Sequence, residues 1–143
     1  MIERVLVAVD DSPASLAAAR LAIELAGRLH ARLLVVHVAA DHELERALGA
    51  VSSRPVAGRR DRSGVALLDR IAGLAAADGI AAETELRGGD IGSAVLAVAR
   101  EWAADLVVIG TSTGPVSGEA YIGARARHIL EFAEQAVLVV PVR

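Results

Sequence analysis

The chain of 143 residues is 54% hydrophobic yet holds a single Phe, Tyr and Trp, so its core must be built of Ala, Val, Leu and Ile. Its net charge of −3 excludes the broad basic field that captures nucleic acid. All fifteen basic residues are Arg and Cys is absent, which removes the Walker A lysine, Schiff-base chemistry, disulfides, thiolate zinc sites and thiol nucleophiles.

Val5 to Val9 is a short apolar run closed by Asp10-Asp11, a first buried strand. Ser12-Pro13 then reads as an N-cap with proline in the first turn, and Ala14, Ala18, Leu21, Leu25 and Leu29 recur at helical spacing to about His30. Leu33 to Val38 is a second strand. From about residue 40 to 63 the pattern dissolves; HELERAL could make a short helix, but VSSRPVAGRRDR carries Pro, Gly and four Arg and reads as a mobile loop. Leu67, Ile71, Leu74 and Ala75 mark a second helix closed by Asp78-Gly79. A third strand follows over Ile80 to Leu86, then a Gly88-Gly89 turn, with Asp90 capping a third helix (Ile91, Ala94, Val95, Val98, Trp102). Leu106 to Ile109 is a fourth strand, stopped by Gly110. A loop of small and hydroxyl residues leads to Gly123 and a fourth helix (Ile122, Ala126, Ile129, Leu130, Ala133), and Val137 to Val140 is a fifth strand.

Five apolar strands separated by helices predict a single α/β domain over residues 1–143. The expected architecture is a doubly wound parallel sheet, order 3-2-1-4-5, with helices on both faces. No uninterrupted apolar run reaches the ~20 residues of a membrane span. The start, MIERVLVAVDD, lacks the basic-then-apolar order of a signal peptide, so a cytoplasmic protein without nucleic-acid or membrane partners is expected.

Function is expected at the switch point between the first and fourth strands, where the fold sets Asp10 beside the Gly110 loop. A helix start with free N–H groups at Gly123 and Ala124 suits a phosphate. Asp10 can accept from a ligand amino group or help open the first helix; Asp11 reads as a solvated helix-start acid. An acidic pair after a first strand also suits a receiver domain, but there is no lysine, and no Asp closes the third strand. Thr111, Ser112, Thr113 and Ser117 offer hydroxyls to a phosphate or to turns. Arg125 and Arg127 open the fourth helix against its dipole, which points to an anion or an acidic partner, or to a solvated face. Arg54, Arg59, Arg60 and Arg62 read as an exposed cluster. His37 and His128 lack metal-spaced partners and read as structural. No nucleophile-and-base motif is present, so an efficient enzyme is not expected.

Assembled, these pieces resemble the universal stress protein family over essentially the whole chain. The matching segments are VLVAVDDSPAS, LLVVHV, GGDIGSAVLAVAREWAADLVVIGT and HILEFAEQAVLVVPV. The resemblance implies an adenine nucleotide alpha hydrolase-like fold and a stress-response role. ATP-binding members carry a loop G-x2-G-x9-G-[ST]. Gly110 and Gly123 match its first and third glycines, Thr113 stands at the second with Gly114 one residue late, and Ala124 replaces the hydroxyl residue. Losing that hydroxyl costs roughly ten- to a hundred-fold in affinity. On the adenine side Asp10 and Val38 match. The implied ligand is thus ATP, with Mg if bound, contacting Asp10, Val38, Gly110, Thr111, Thr113, Gly114, Gly123 and Ala124. A homodimer through the edge of the fifth strand (Val137, Leu138, Val139, Val140) is implied as well, and a protein partner is open. The leading expectation is a non-catalytic module that binds ATP weakly. The alternatives are a nucleotide-free dimeric interaction module and, last, a slow ATP hydrolase.

Overall fold

The computed structural model describes residues 1–40, 54–113 and 120–142. Its elements are β1 (Arg4–Ala8), α1 (Pro13–Leu29), β2 (Arg32–Ala40), α2 (Arg54–Ala77), β3 (Ala82–Gly89), α3 (Ile91–Glu101), β4 (Leu106–Gly110), β5 (Ser112–Thr113), β6 (Ala120–Tyr121), α4 (Ala124–Phe132) and β7 (Ala136–Val140). Five strands form one parallel sheet in the order β3-β2-β1-β4-β7. This is the expected 3-2-1-4-5 winding, with β7 as the fifth apolar strand.

The alternation of strand side chains divides the core in two. Val5, Val7, Leu33, Val35, Leu106 and Val108 pack with the alanine-rich face of α1 and with Leu68, Ile71 and Ala75 of α2. Leu6, Leu34, Val36, Val107 and Ile109 point the other way, onto Val95, Val98 and Ala99 of α3 and Ala126 and Ile129 of α4. A strand buried on both faces needs apolar residues at every position, which is why the runs are continuous. Helix α1 starts as its sequence dictates: the Ser15 N–H donates to the Ser12 hydroxyl at 3.2 Å and Pro13 fills the first turn. It ends at His30, which takes the left-handed conformation (φ 53°) more common for Gly or Asn, and the Ala31 N–H closes the cap on the Ala26 carbonyl.

Helix α2 begins at Arg54, so the stretch read as loop is helical from there on. Pro55 sits in the first turn, where its missing N–H is harmless. Gly64, inside α2, is a packing glycine: a Cβ there would lie 2.7 Å from Leu86 Cδ1 and 3.1 Å from His37 Cδ2. The short helix expected over HELERAL lies outside the described residues. Strand β3 starts at Ala82 and continues through the expected Gly88-Gly89 turn, because it pairs with β2 from Leu33↔Ala82 to Ala40↔Gly89. The turn comes at its last residue, Gly89 (φ 109°), after which Asp90 caps α3. Nor does the fourth helix reach back to Ile122: α4 starts at Ala124, with Gly123 as its N-cap. Two short strands were not expected at all: β5 and β6 pair antiparallel, Ser112 with Tyr121 and Thr113 with Ala120. Among the described residues no helix is long and apolar enough to cross a membrane.

Candidate functional site

The carboxyl ends of β1, β2 and β4 open into a crevice made of two adjoining cavities. The inner one, about 80 Å³, is walled mainly by apolar side chains, among them Val36, Val95, Ile109 and Ile129. The outer one, about 280 Å³, has a more polar wall that includes Asp11, His37, Ser63 and Gly64. Asp10, Val38, Ile91 and Arg125 border both. The fold therefore brings Asp10, Val38 and Gly110 to one place from three separate strands, as the winding required.

Asp10 is engaged on one side only. Its Oδ1 accepts from the Ser12 N–H at 2.8 Å and from the Ser15 hydroxyl at 2.9 Å, while its own N–H donates to Ser15 Oγ at 2.8 Å. Ser15 is the buried polar residue at the foot of this arrangement. Oδ2 has no hydrogen-bond partner among the described residues. Burial pushes the carboxyl up, but the hydrogen bonds from Ser12 and Ser15, joined by the charge of Arg125, outweigh it and hold Asp10 below its ordinary value. It is therefore ionised at neutral pH. Helix opening and ligand contact are not exclusive uses, because each takes a different oxygen. Next to it, His37 Nδ1 lies 2.7 Å from the Val9 carbonyl, which can only accept, so Nδ1 carries a proton there.

Gly110 has a structural reason of its own. A Cβ at this position would come within 2.7 Å of the carbonyl carbon and oxygen of Ala14, so the glycine lets β4 end against the first turn of α1. Gly123, the N-cap of α4, is likewise held close: a Cβ there would collide with Ser112 Oγ. No side chain caps α4, which leaves its first N–H groups beside the crevice without a hydroxyl, because Ala124 supplies none. Thr111 donates its N–H to the Val140 carbonyl at 3.0 Å, and its Oγ1 is buried without a partner among the described residues. Thr113 lies in the short strand β5. Gly114, Pro115 and Ser117 lie outside the described residues.

The residue that the sequence underweighted is Arg125. It borders both cavities, and its charge lowers Asp10 on one side and Asp90 on the other, in each case behind the hydrogen bonds those carboxylates accept. The available signal was its place in the first turn of a helix, where a cation is unfavourable. Of the arginine cluster, Arg62 is exposed within α2, next in sequence to Ser63 and Gly64 of the outer wall. His128 sits on Gly92, where a Cβ would be 2.6 Å from its Cδ2, and meets the Phe132 ring tilted by 51° with centroids 4.9 Å apart. It is a helix-packing residue.

The sequence matches the model of the Universal stress protein family over residues 1–141. Among solved structures, a protein of that family from Burkholderia pseudomallei is 26% identical, with a TM-score of 0.75 over 98% of this chain and 96% of that one. A universal stress protein in complex with cAMP is 23% identical, with a TM-score of 0.73 over 99% of both chains. One from Archaeoglobus fulgidus in complex with dAMP is 21% identical, with a TM-score of 0.68 over 98% and 99%. Among curated proteins none matches.

Proposed function

The chain belongs to the universal stress protein family, and on that premise we propose that it is a non-catalytic regulatory module that binds an adenine nucleotide, ATP included, in the crevice at the ends of β1 and β4. The observation that carries this reading is the half-engaged Asp10 carboxylate beside Val38 and Gly110, at the switch point of a sheet whose solved relatives include complexes with cAMP and dAMP. Asp10 Oδ2 would accept from the adenine amino group, and Val38 and Ile91 would cover the ring. Backbone at Gly110, Thr111, Thr113, Gly114, Gly123 and Ala124 would face ribose and phosphates. Mg²⁺ fits only as a companion of the phosphates. Among the described residues no group of three or more His, Cys, Asp or Glu could hold a metal ion, whereas Mg²⁺ usually takes one or two carboxylates plus phosphate oxygens and water. Denaturing the purified protein and chromatographing the supernatant tests for carried nucleotide. Its absence, with no thermal shift at millimolar MgATP, would sink the reading.

A second reading, in which the chain acts as a dimeric interaction module, draws on a different surface. Strand β7 is an edge of the sheet, and an apolar groove of about 580 Å³ runs between it and α1, bordered by Leu16, Ala17, Leu21, Leu138, Val139 and Val140. An apolar edge is a liability unless covered, and a second copy paired across a two-fold axis covers it through Val137, Leu138, Val139 and Val140. Light scattering at micromolar concentration should then report a dimer, and Leu138→Asp a monomer. A wild-type monomer would remove this reading. The two readings are compatible, and the cytoplasm is the compartment that suits both.

A further inference from the structure

We propose that Arg125 is the phosphate-selecting residue of this chain: its guanidinium turns the crevice from a site for a nucleoside into a site for a nucleotide. The proposal rests on the adenine-nucleotide reading and names the group that recognises the charged half of that ligand.

The geometry that carries it is the position of Arg125 on the border of both cavities, which it shares with Asp10; its charge also acts on Asp90 at the start of α3, behind that of His128. Among the described residues Arg125 forms no ion pair, although four such contacts join other arginines to carboxylates. Both neighbouring carboxylates have oxygens engaged elsewhere: Asp10 Oδ1 on Ser12 and Ser15, Asp90 Oδ2 on the Ser93 N–H. Arg125 therefore lies among charges without being held by any of them. It also stands in the first turn of α4, where the helix presents its positive end and no side chain caps the backbone. A cation there costs stability unless an anion joins it.

The chemistry of the ligand supplies the complement. A polyphosphate entering this crevice meets Asp10, an ionised carboxylate, and at the helix start it meets Ala124 instead of a hydroxyl. Arg125 answers both problems. Its planar fork can bond two phosphate oxygens at once, and its charge shields the phosphates from Asp10. A neutral nucleoside gains nothing from it. Recognition is thereby divided, the base read by Asp10 and Val38 and the phosphates by Arg125, so the effect of Arg125 should rise from adenosine through AMP to ATP. Arg127, two residues on and exposed, borders neither cavity and serves as a control of equal charge.

The test is calorimetric titration of the wild type, Arg125→Ala, Arg125→Lys and Arg127→Ala with adenosine, AMP, ATP and inorganic tripolyphosphate, with circular dichroism to confirm folding. Arg125→Ala should lose roughly ten- to a hundred-fold of ATP affinity and leave adenosine unchanged. Arg125→Lys should recover part of the loss, and Arg127→Ala should match the wild type. ATP bound equally by Arg125→Ala and wild type, with adenosine binding intact, overturns the role of Arg125 and leaves the nucleotide reading standing. Wild type that binds neither adenosine nor ATP overturns the nucleotide reading instead. The tripolyphosphate arm then decides Arg125 alone: binding that disappears in Arg125→Ala supports an anion site, and no binding by the wild type overturns it.

Discussion

The two ends of the sheet are built from the same residue types and treat their charges in opposite ways. At the amino end the Asp105 carboxylate accepts the N–H groups of Glu3 and Arg4 at 2.8 and 2.9 Å. Arg32 forks onto Glu83 and lies 5.5 Å over the Trp102 ring, and Arg4 donates to the Trp102 carbonyl. At the carboxyl end Asp10 keeps one oxygen without a partner, Arg125 has no ion pair, and α4 starts uncapped, all among the described residues. One end is closed on itself and the other is open to a visitor. Buried polar atoms without partners occur at both ends among the described residues, Trp102 Nε1 and Gln135 Oε1 at the amino end and Thr111 Oγ1 at the carboxyl end, so what sets the carboxyl end apart is its unpaired charges.

The largest effect should come from breaking the contrast at a point where the open end is itself structural. Gly110→Val places a side chain on the Ala14 backbone, which cannot move without shifting α1. Overpacking of this kind costs about 2–3 kcal/mol, or roughly 5–10 °C in Tm, measurable by calorimetry. A wild-type Tm would show that β4 and α1 do not need the glycine. Asp10→Asn separates the two uses of that side chain. An amide oxygen can replace Oδ1 toward Ser12 and Ser15, so the Tm should fall by only a few degrees, while affinity for adenine nucleotides drops about tenfold as the free acceptor becomes a donor. If affinity is kept and stability falls, Asp10 belongs to the helix alone.

At the closed end the expected effects are smaller. The N–H groups of Glu3 and Arg4 hold the Asp105 carboxyl below its ordinary value. The sign follows from linkage: the ionised form is favoured by folding, so its stabilisation is present above about pH 4 and is lost as pH falls through the lowered folded value. Asp105→Asn should flatten the acid limb of stability against pH and change little at neutral pH; an unchanged acid limb would show that the carboxylate is not stabilised by folding. Smallest of all is Arg32→Ala, because both partners of the pair with Glu83 are about half exposed. Its cost should stay within about 1 kcal/mol in denaturant titration.

Much of the fold, and the place of the site in it, was legible in the sequence. Continuous apolar runs identified β1, β2, β4 and β7, the edge strand β3 was read from a short stretch with partial alternation, and the winding rules then set Asp10 beside Gly110. The start of α2 was hidden because the Pro and Gly of VSSRPVAGRRDR look the same whether they break a helix or are carried within one. The pair β5 and β6 was hidden because two-residue strands carry no periodicity. The engagement of Asp10 depends on Ser15, five residues away, and no pattern announces which oxygen is taken. Arg125 was legible only as an anomaly against the helix dipole; that it borders both cavities is a fact of three dimensions.

One hydrogen bond joins the two surfaces that could receive a partner. Thr111, the first residue after β4, donates to the carbonyl of Val140, the last residue of the edge strand. A backbone hydrogen bond thus ties the end of the crevice strand to the edge strand, and any coupling between the two surfaces would have to be reciprocal. Whatever free energy occupancy of the crevice adds to pairing at the edge, pairing must return to occupancy in the same amount. Ligand affinity measured at two protein concentrations reads that quantity in the unmodified chain.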